Sequence, residues 1–92
     1  MDLSSLRSEI DALDRQLTEL LERRLDVAAQ IAAYKLAHDL PVLDASREAE
    51  KLASIRSLCR PETGDLQSCV FESVMAASRA YQEKLMEEAH GG

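Results

Sequence analysis

Between Ser4 and His38 the chain contains neither proline nor glycine, and its apolar residues recur at alternating steps of three and four. Leu3, Leu6, Ile10, Leu13, Leu17 and Leu20 form the first run, and Val27, Ile31 and Tyr34 resume it. This heptad-like stripe predicts one long helix, with Ser4 or Ser5 as its N-cap. At 1.5 Å per residue the rod is about 50 Å long. The rest of a 92-residue chain is too short to cover such a stripe. A second copy of the same chain is the simplest cover.

The remainder reads as two more helices. Pro41 forbids continuation and pushes Leu40 toward extended geometry. A second helix is expected after Asp44, a good N-cap, running to about Cys59 with Leu52, Ile55 and Cys59 on its apolar face. The segment from Arg60 to Gly64, with Pro61, reads as a loop. A third helix is expected from near Asp65 to about Glu88, with Leu66, Val70, Val74, Ala77, Tyr81 and Leu85 as its stripe. The expectation is a single all-α domain over residues 1–92: three helices, long–short–long, in an intertwined homodimer, with residues 89–92 frayed.

Composition narrows the function. Seventeen acidic residues against eleven basic give a net charge of −6, which argues against coating nucleic acid or an anionic membrane. Cys59 and Cys69 are too few for a disulfide framework and read as reduced thiols. His38 and His90 lie far from either cysteine at any zinc-ligand spacing, so no metal site is expected. No apolar run approaches membrane-spanning length, and the N-terminus has no signal-peptide pattern. The chain reads as cytoplasmic.

The informative break in the pattern is Arg24, which occupies a slot where the first stripe demands an apolar residue. A buried, unpaired guanidinium costs several kcal/mol. Arg24 therefore finds an internal ion pair, snorkels to the bundle edge, or faces a pocket whose anion is a ligand. Lys35 follows eleven residues later on the same face, about 16 Å along the axis. Ala28 leaves room between them for a small dianion, although a lysine near a helix C-terminus is also favoured by the dipole alone. Arg7 lies about 25 Å from Arg24 along one rod and meets it only across an antiparallel dimer, or else pairs with Asp11 on the surface. Asp44, Arg47 and Glu48 fall on one side of the second helix, as cap and first-turn charges. Ser78 and Gln82 are neighbours one turn apart on the third, on a face shared with Phe71 and Met75. No nucleophile–base set or glycine-rich phosphate loop is readable. An enzyme made from this chain would work by positioning and electrostatics.

Taken in order, these residues resemble the all-helical (AroQ-class) chorismate mutases, from about Leu6 to Leu85. The matching pattern is Leu6-Arg7, Ile10-Asp11-Ala12-Leu13-Asp14, Leu20-Leu21-Glu22-Arg23-Arg24 and Lys35 in the first helix. Pro41-Val42-Leu43-Asp44 with Arg47-Glu48 follows, then Ser78 with Gln82. The resemblance implies a helical homodimer with two equivalent sites, each completed by an arginine from the other subunit, which by position is Arg7. It implies the Claisen rearrangement of chorismate to prephenate, toward phenylalanine and tyrosine, without cofactor or covalent intermediate.

On that resemblance Arg24 and the partner's Arg7 clamp substrate carboxylates, and Ser78 helps hold one. Lys35 and Gln82 donate to the ether oxygen. Glu48 accepts from the ring hydroxyl, assisted by the Asp44 region and organised by Arg47. The same fold also serves isochorismate-pyruvate lyases and aminodeoxychorismate mutases. A non-catalytic helical dimerisation or regulatory module is the alternative of a different class, and it leaves Arg24 unexplained.

Overall fold

The first helix, α1, spans Leu3–Ala37. Its cap is Asp2, whose carboxylate accepts from the Ser5 backbone N–H at 2.8 Å, so the expected cap at Ser4 or Ser5 shifts upstream. That N–H bond also holds the Asp2 carboxyl below its ordinary pKa. The helix ends as Pro41 requires, through a Schellman closure. Asp39 takes the left-handed conformation (φ 53°). Leu40 N–H reaches back to the Lys35 carbonyl at 2.8 Å, and Asp39 N–H to that of Leu36 at 3.4 Å.

The second helix, α2, spans Ala45–Leu58 and is capped by Asp44, as expected, with the Arg47 N–H 3.0 Å from its carboxylate. The loop expected at 60–64 is a short 3-10 turn, Pro61–Thr63. Gly64 then opens the third helix, α3, Gly64–Gly91. An exposed Arg56–Asp65 ion pair bridges this turn. α3 continues past the expected end near Glu88, and His90 and Gly91 are helical rather than frayed. The structure, a computed structural model, describes residues 2–91; the frayed end expected at Gly92 lies outside them.

α3 packs against both α1 and α2, giving an elongated body of 54 × 28 × 14 Å. The fold is all-α, three helices in the expected long–short–long order. The interior within the chain is not built on the long apolar stripe of α1. The faces that meet within the chain are lined by small and polar residues: Ala28 and Ala32 on α1, and Gly64, Ser68, Met75, Ser78 and Gln82 on α3. Ala28 and Ala32 give α1 a low surface there, against which the longer Met75 and Gln82 side chains of α3 are buried.

Leu52, Ile55 and Cys59 of α2 are half-buried, as their spacing predicts. The long apolar stripe of α1, by contrast, faces outward, with Ile10, Leu13, Leu17 and Leu20 each more than half exposed. Residues 2–23 are exposed without interruption, so this half of α1 projects beyond the rest of the body. On α3 the expected stripe divides: Val74 and Leu85 turn partly inward, while Leu66, Val70, Ala77 and Tyr81 stay exposed. Among the described residues no helix is long and apolar enough to cross a membrane.

Candidate functional site

Where the three helices converge they leave a cleft of about 360 Å³, within the range of small-molecule pockets. α1 contributes Arg24, Ala28, Ile31 and Lys35 to its wall. α2 and its cap contribute Asp44, Arg47, Glu48 and Lys51, and α3 contributes Met75, Ser78, Arg79 and Gln82. Seven of the eight site residues expected from sequence are thus together, although they come from three helices. The eighth, Arg7, stands on the projecting half of α1, outside the cleft of its own chain. It makes no ion pair with Asp11 among the described residues.

Arg24 is half-buried and faces the cleft. Among the described residues no carboxylate lies within ion-pair distance of it, which removes the internal-pair explanation for an arginine in that slot. Ala28, one turn on and 3% exposed, keeps the floor between Arg24 and Lys35 low. Lys35 is not a freely solvated terminal lysine. Its ammonium donates to the Val42 carbonyl at 2.6 Å, which bends the side chain over the α1–α2 connection. An ammonium has three donors, so two remain for the cleft.

The polar floor comes from α3. Gln82 is 6% exposed and Ser78 7%. The Gln82 amide Nε2 donates to the Ser78 hydroxyl at 3.2 Å, while its Oε1 is buried with no hydrogen-bond partner. Turning the amide over lets the Ser78 hydroxyl donate to Oε1 and moves the N–H pair to the unmatched position. In either orientation Gln82 carries unspent hydrogen-bonding capacity, which costs about 1–3 kcal/mol when buried.

Glu48 is organised by a different residue from the one expected. Arg79 Nη1 lies 2.5 and 2.6 Å from its two oxygens, with both side chains about 70% buried. The Arg47 guanidinium approaches Glu50 instead, at 3.9 Å on the exposed rim. Arg79 and Lys51 are the functional candidates that sequence reasoning missed. A signal was present: Met75, Arg79 and Gln82 share one face of α3, and Lys51 lies one turn after Arg47.

The cleft therefore gathers five cations, Arg24, Lys35, Arg47, Lys51 and Arg79, against two carboxylates, Asp44 and Glu48. In a chain of net charge −6 this is a local inversion of sign, suited to a small polyanion. A second, shallower hollow of about 420 Å³ lies beside the α1–α2 connection, near Leu40, Pro41, Met86 and His90. It is larger but lacks any comparable gathering of charge. Among the described residues no cluster of His, Cys, Asp and Glu is arranged to hold a metal ion.

Comparison with known proteins agrees with the cleft. The chain is 31% identical over 88 residues to the bifunctional chorismate mutase/prephenate dehydratase of Buchnera aphidicola, covering 92% of this chain and 23% of that protein. It is 40% identical over 55 residues to the T-protein of Enterobacter agglomerans, covering 60% of this chain and 15% of that protein. It is 41% identical over 46 residues to the 4-amino-4-deoxychorismate mutase of Streptomyces venezuelae, covering 50% and 45%. The chain thus spans less than half the length of each. No solved structure matches it. Residues 6–83, from the start of the projecting helix to just past Gln82, match the family described as chorismate mutase type II, and the chain belongs to that family.

Proposed function

We propose that this chain catalyses the rearrangement of chorismate to prephenate, in the pathway toward phenylalanine and tyrosine. The observation that carries the reading is the convergence of Arg24, Lys35 and the buried Gln82 on one cleft of reversed charge. The reaction is unimolecular: one C–O bond breaks and one C–C bond forms within the same molecule. It needs no cofactor, base or nucleophile, which suits a cleft rich in donors and cations.

The substrate has two carboxylates, and a guanidinium binds a carboxylate through two parallel N–H bonds. Arg24 anchors one of them and Ser78 assists. This holds the enolpyruvyl arm over the ring in a near-attack geometry. As the C–O bond breaks, negative charge develops on the ether oxygen. Lys35 meets that charge with its free N–H donors, and Gln82 meets it once its amide is turned so that the N–H pair faces the cleft and Oε1 accepts from Ser78; each such donor contributes about 3–4 kcal/mol to lowering the barrier. Arg47, Lys51 and the Asp44 cap form the wall on the α2 side, and Glu48 accepts from the ring hydroxyl.

The working unit of this reading is a homodimer. The stripe from Leu6 to Leu20 lies on a projecting rod, and Leu66, Val70 and Tyr81 add exposed apolar surface on α3. A second copy in antiparallel register covers these surfaces. It also carries Arg7 across about 25 Å of helix to the partner's cleft, as the second carboxylate clamp. Residues 1–92 form one catalytic domain, at home in the cytoplasm, where the free thiols Cys59 and Cys69 stay reduced.

The test is to incubate the protein with chorismate, follow the loss of its ultraviolet absorbance and identify the product, with Arg24→Ala beside it. Prephenate from the wild type and almost none from the variant is the expected result. A folded dimer that leaves chorismate unchanged contradicts the reading.

A further inference from the structure

We propose that Arg79 makes the site selective for a ring hydroxyl over a ring amine. The inference rests on the chorismate reading above and adds a residue to it. Arg79 Nη1 reaches both oxygens of Glu48, at 2.5 and 2.6 Å, with both side chains about 70% buried. Glu48 is the group that faces the ring substituent in that reading, so whatever neutralises Glu48 acts on the choice of substituent.

Other charges lining this side of the cleft reinforce Arg79. Arg47 and Lys51 stand on the same helix as Glu48, and Asp44 at its cap is the other carboxylate. Of the three cations on this side of the cleft, Arg79 bonds Glu48 directly, while the Arg47 guanidinium turns to Glu50 on the rim. A carboxylate offers about four lone-pair sites, and Arg79 takes one on each oxygen. Room remains for a neutral hydroxyl to donate a hydrogen bond and leave the local charge unchanged. An aliphatic amine is largely an ammonium at neutral pH. It would bring a fourth positive charge to a carboxylate already paired. Two like charges about 5 Å apart in a partly buried site repel strongly enough to change an equilibrium well over tenfold.

The fold itself does not decide this choice, since the Streptomyces venezuelae relative is named for the amino compound. The decision lies in side chains around the substituent. Of those, Arg79 makes the direct contact with Glu48.

The experiment compares kcat/KM on chorismate and on 4-amino-4-deoxychorismate for the wild type, Arg79→Gln and Arg79→Lys. The wild type is expected to prefer chorismate. Arg79→Gln raises the amine-to-hydroxyl ratio by about tenfold or more, and Arg79→Lys, which keeps the charge, leaves it within about threefold of wild type. A purely structural role would lower both rates together, and an unchanged ratio in Arg79→Gln overturns the proposal. A pH series on the wild type alone supplies a second readout should the glutamine variant fail to fold. The relative rate on the amine rises as pH is carried above the pKa of the ammonium, and a flat ratio overturns the proposal. Failure of the wild type to turn over chorismate would retire the functional reading and this inference with it. Turnover with an unmoved ratio retires Arg79 alone.

Discussion

Arg24 shows how much one residue out of pattern conveys. Periodicity asks for an apolar side chain at that position, and the structure gives the arginine no carboxylate among the described residues, only a cleft. Lys35 and Gln82 were legible for a weaker reason, their spacing from other polar residues, and resemblance to a family gave that spacing its meaning. Arg79 could be placed on the cleft face of α3 from its spacing to Met75 and Gln82, but its pairing was not legible. Its partner Glu48 is 31 residues away on another helix, and no local pattern links them. Two predictions belong at this scale. Lys35→Ala removes a donor to the developing charge and lowers kcat about 10²–10³-fold, measured by steady-state kinetics with folding checked by circular dichroism. Gln82→Glu substitutes a group that donates only when protonated, so activity falls as pH rises through that carboxyl's pKa and the optimum moves acidic. Full activity of Gln82→Glu at pH 8 would contradict the role assigned to Gln82.

The helices themselves follow from punctuation: Pro41 stops the first, Asp44 starts the second, and Pro61 with Gly64 separates the second from the third. Which residues line their inner faces was not legible, for a physical reason. Periodicity reveals that a helix has an apolar face but not what buries it. Most of the large apolar residues in the α1 and α3 stripes face outward, and Ala28, Ala32, Ser68, Met75, Ser78 and Gln82 form the contact within the chain. Ala32, 2% exposed, has no room to grow, so Ala32→Leu is expected to cost about 1–3 kcal/mol by overpacking α1 against its neighbours. Denaturant titration measures it. The Schellman closure makes the opposite prediction at Asp39. A side chain in the left-handed region costs about 1–2 kcal/mol, so Asp39→Gly raises the melting temperature. At the other end of α1 the Asp2 carboxyl is held below its ordinary pKa by the Ser5 N–H. Its contribution to the first turn is therefore present above that ordinary value and lost as pH falls through the lowered one. Amide exchange at Ser5 reads this directly, and protection unchanged by acid would contradict it.

At the scale of the whole molecule the proposed dimer ties together the exposed stripe and an Arg7 that stands outside the cleft of its own chain. A rod about 50 Å long offers apolar surface along its length, and its first half extends beyond the body that holds the cleft. In the proposed reading a second copy covers the surface and supplies Arg7 to the cleft. Leu13→Glu, placed in the middle of that surface and outside the cleft, is expected to yield monomers by analytical ultracentrifugation and to lose turnover with the dimer. The most direct test of a site shared between two chains mixes two inactive proteins, Arg7→Ala and Arg24→Ala, unfolds them together and refolds them. In a hybrid dimer one cleft has its own Arg24 and receives Arg7 from the other chain, while the second cleft lacks both. Random pairing makes about half the dimers hybrids, so prephenate formation returns to about a quarter of the wild-type rate. A refolded mixture no more active than either variant alone would contradict the account.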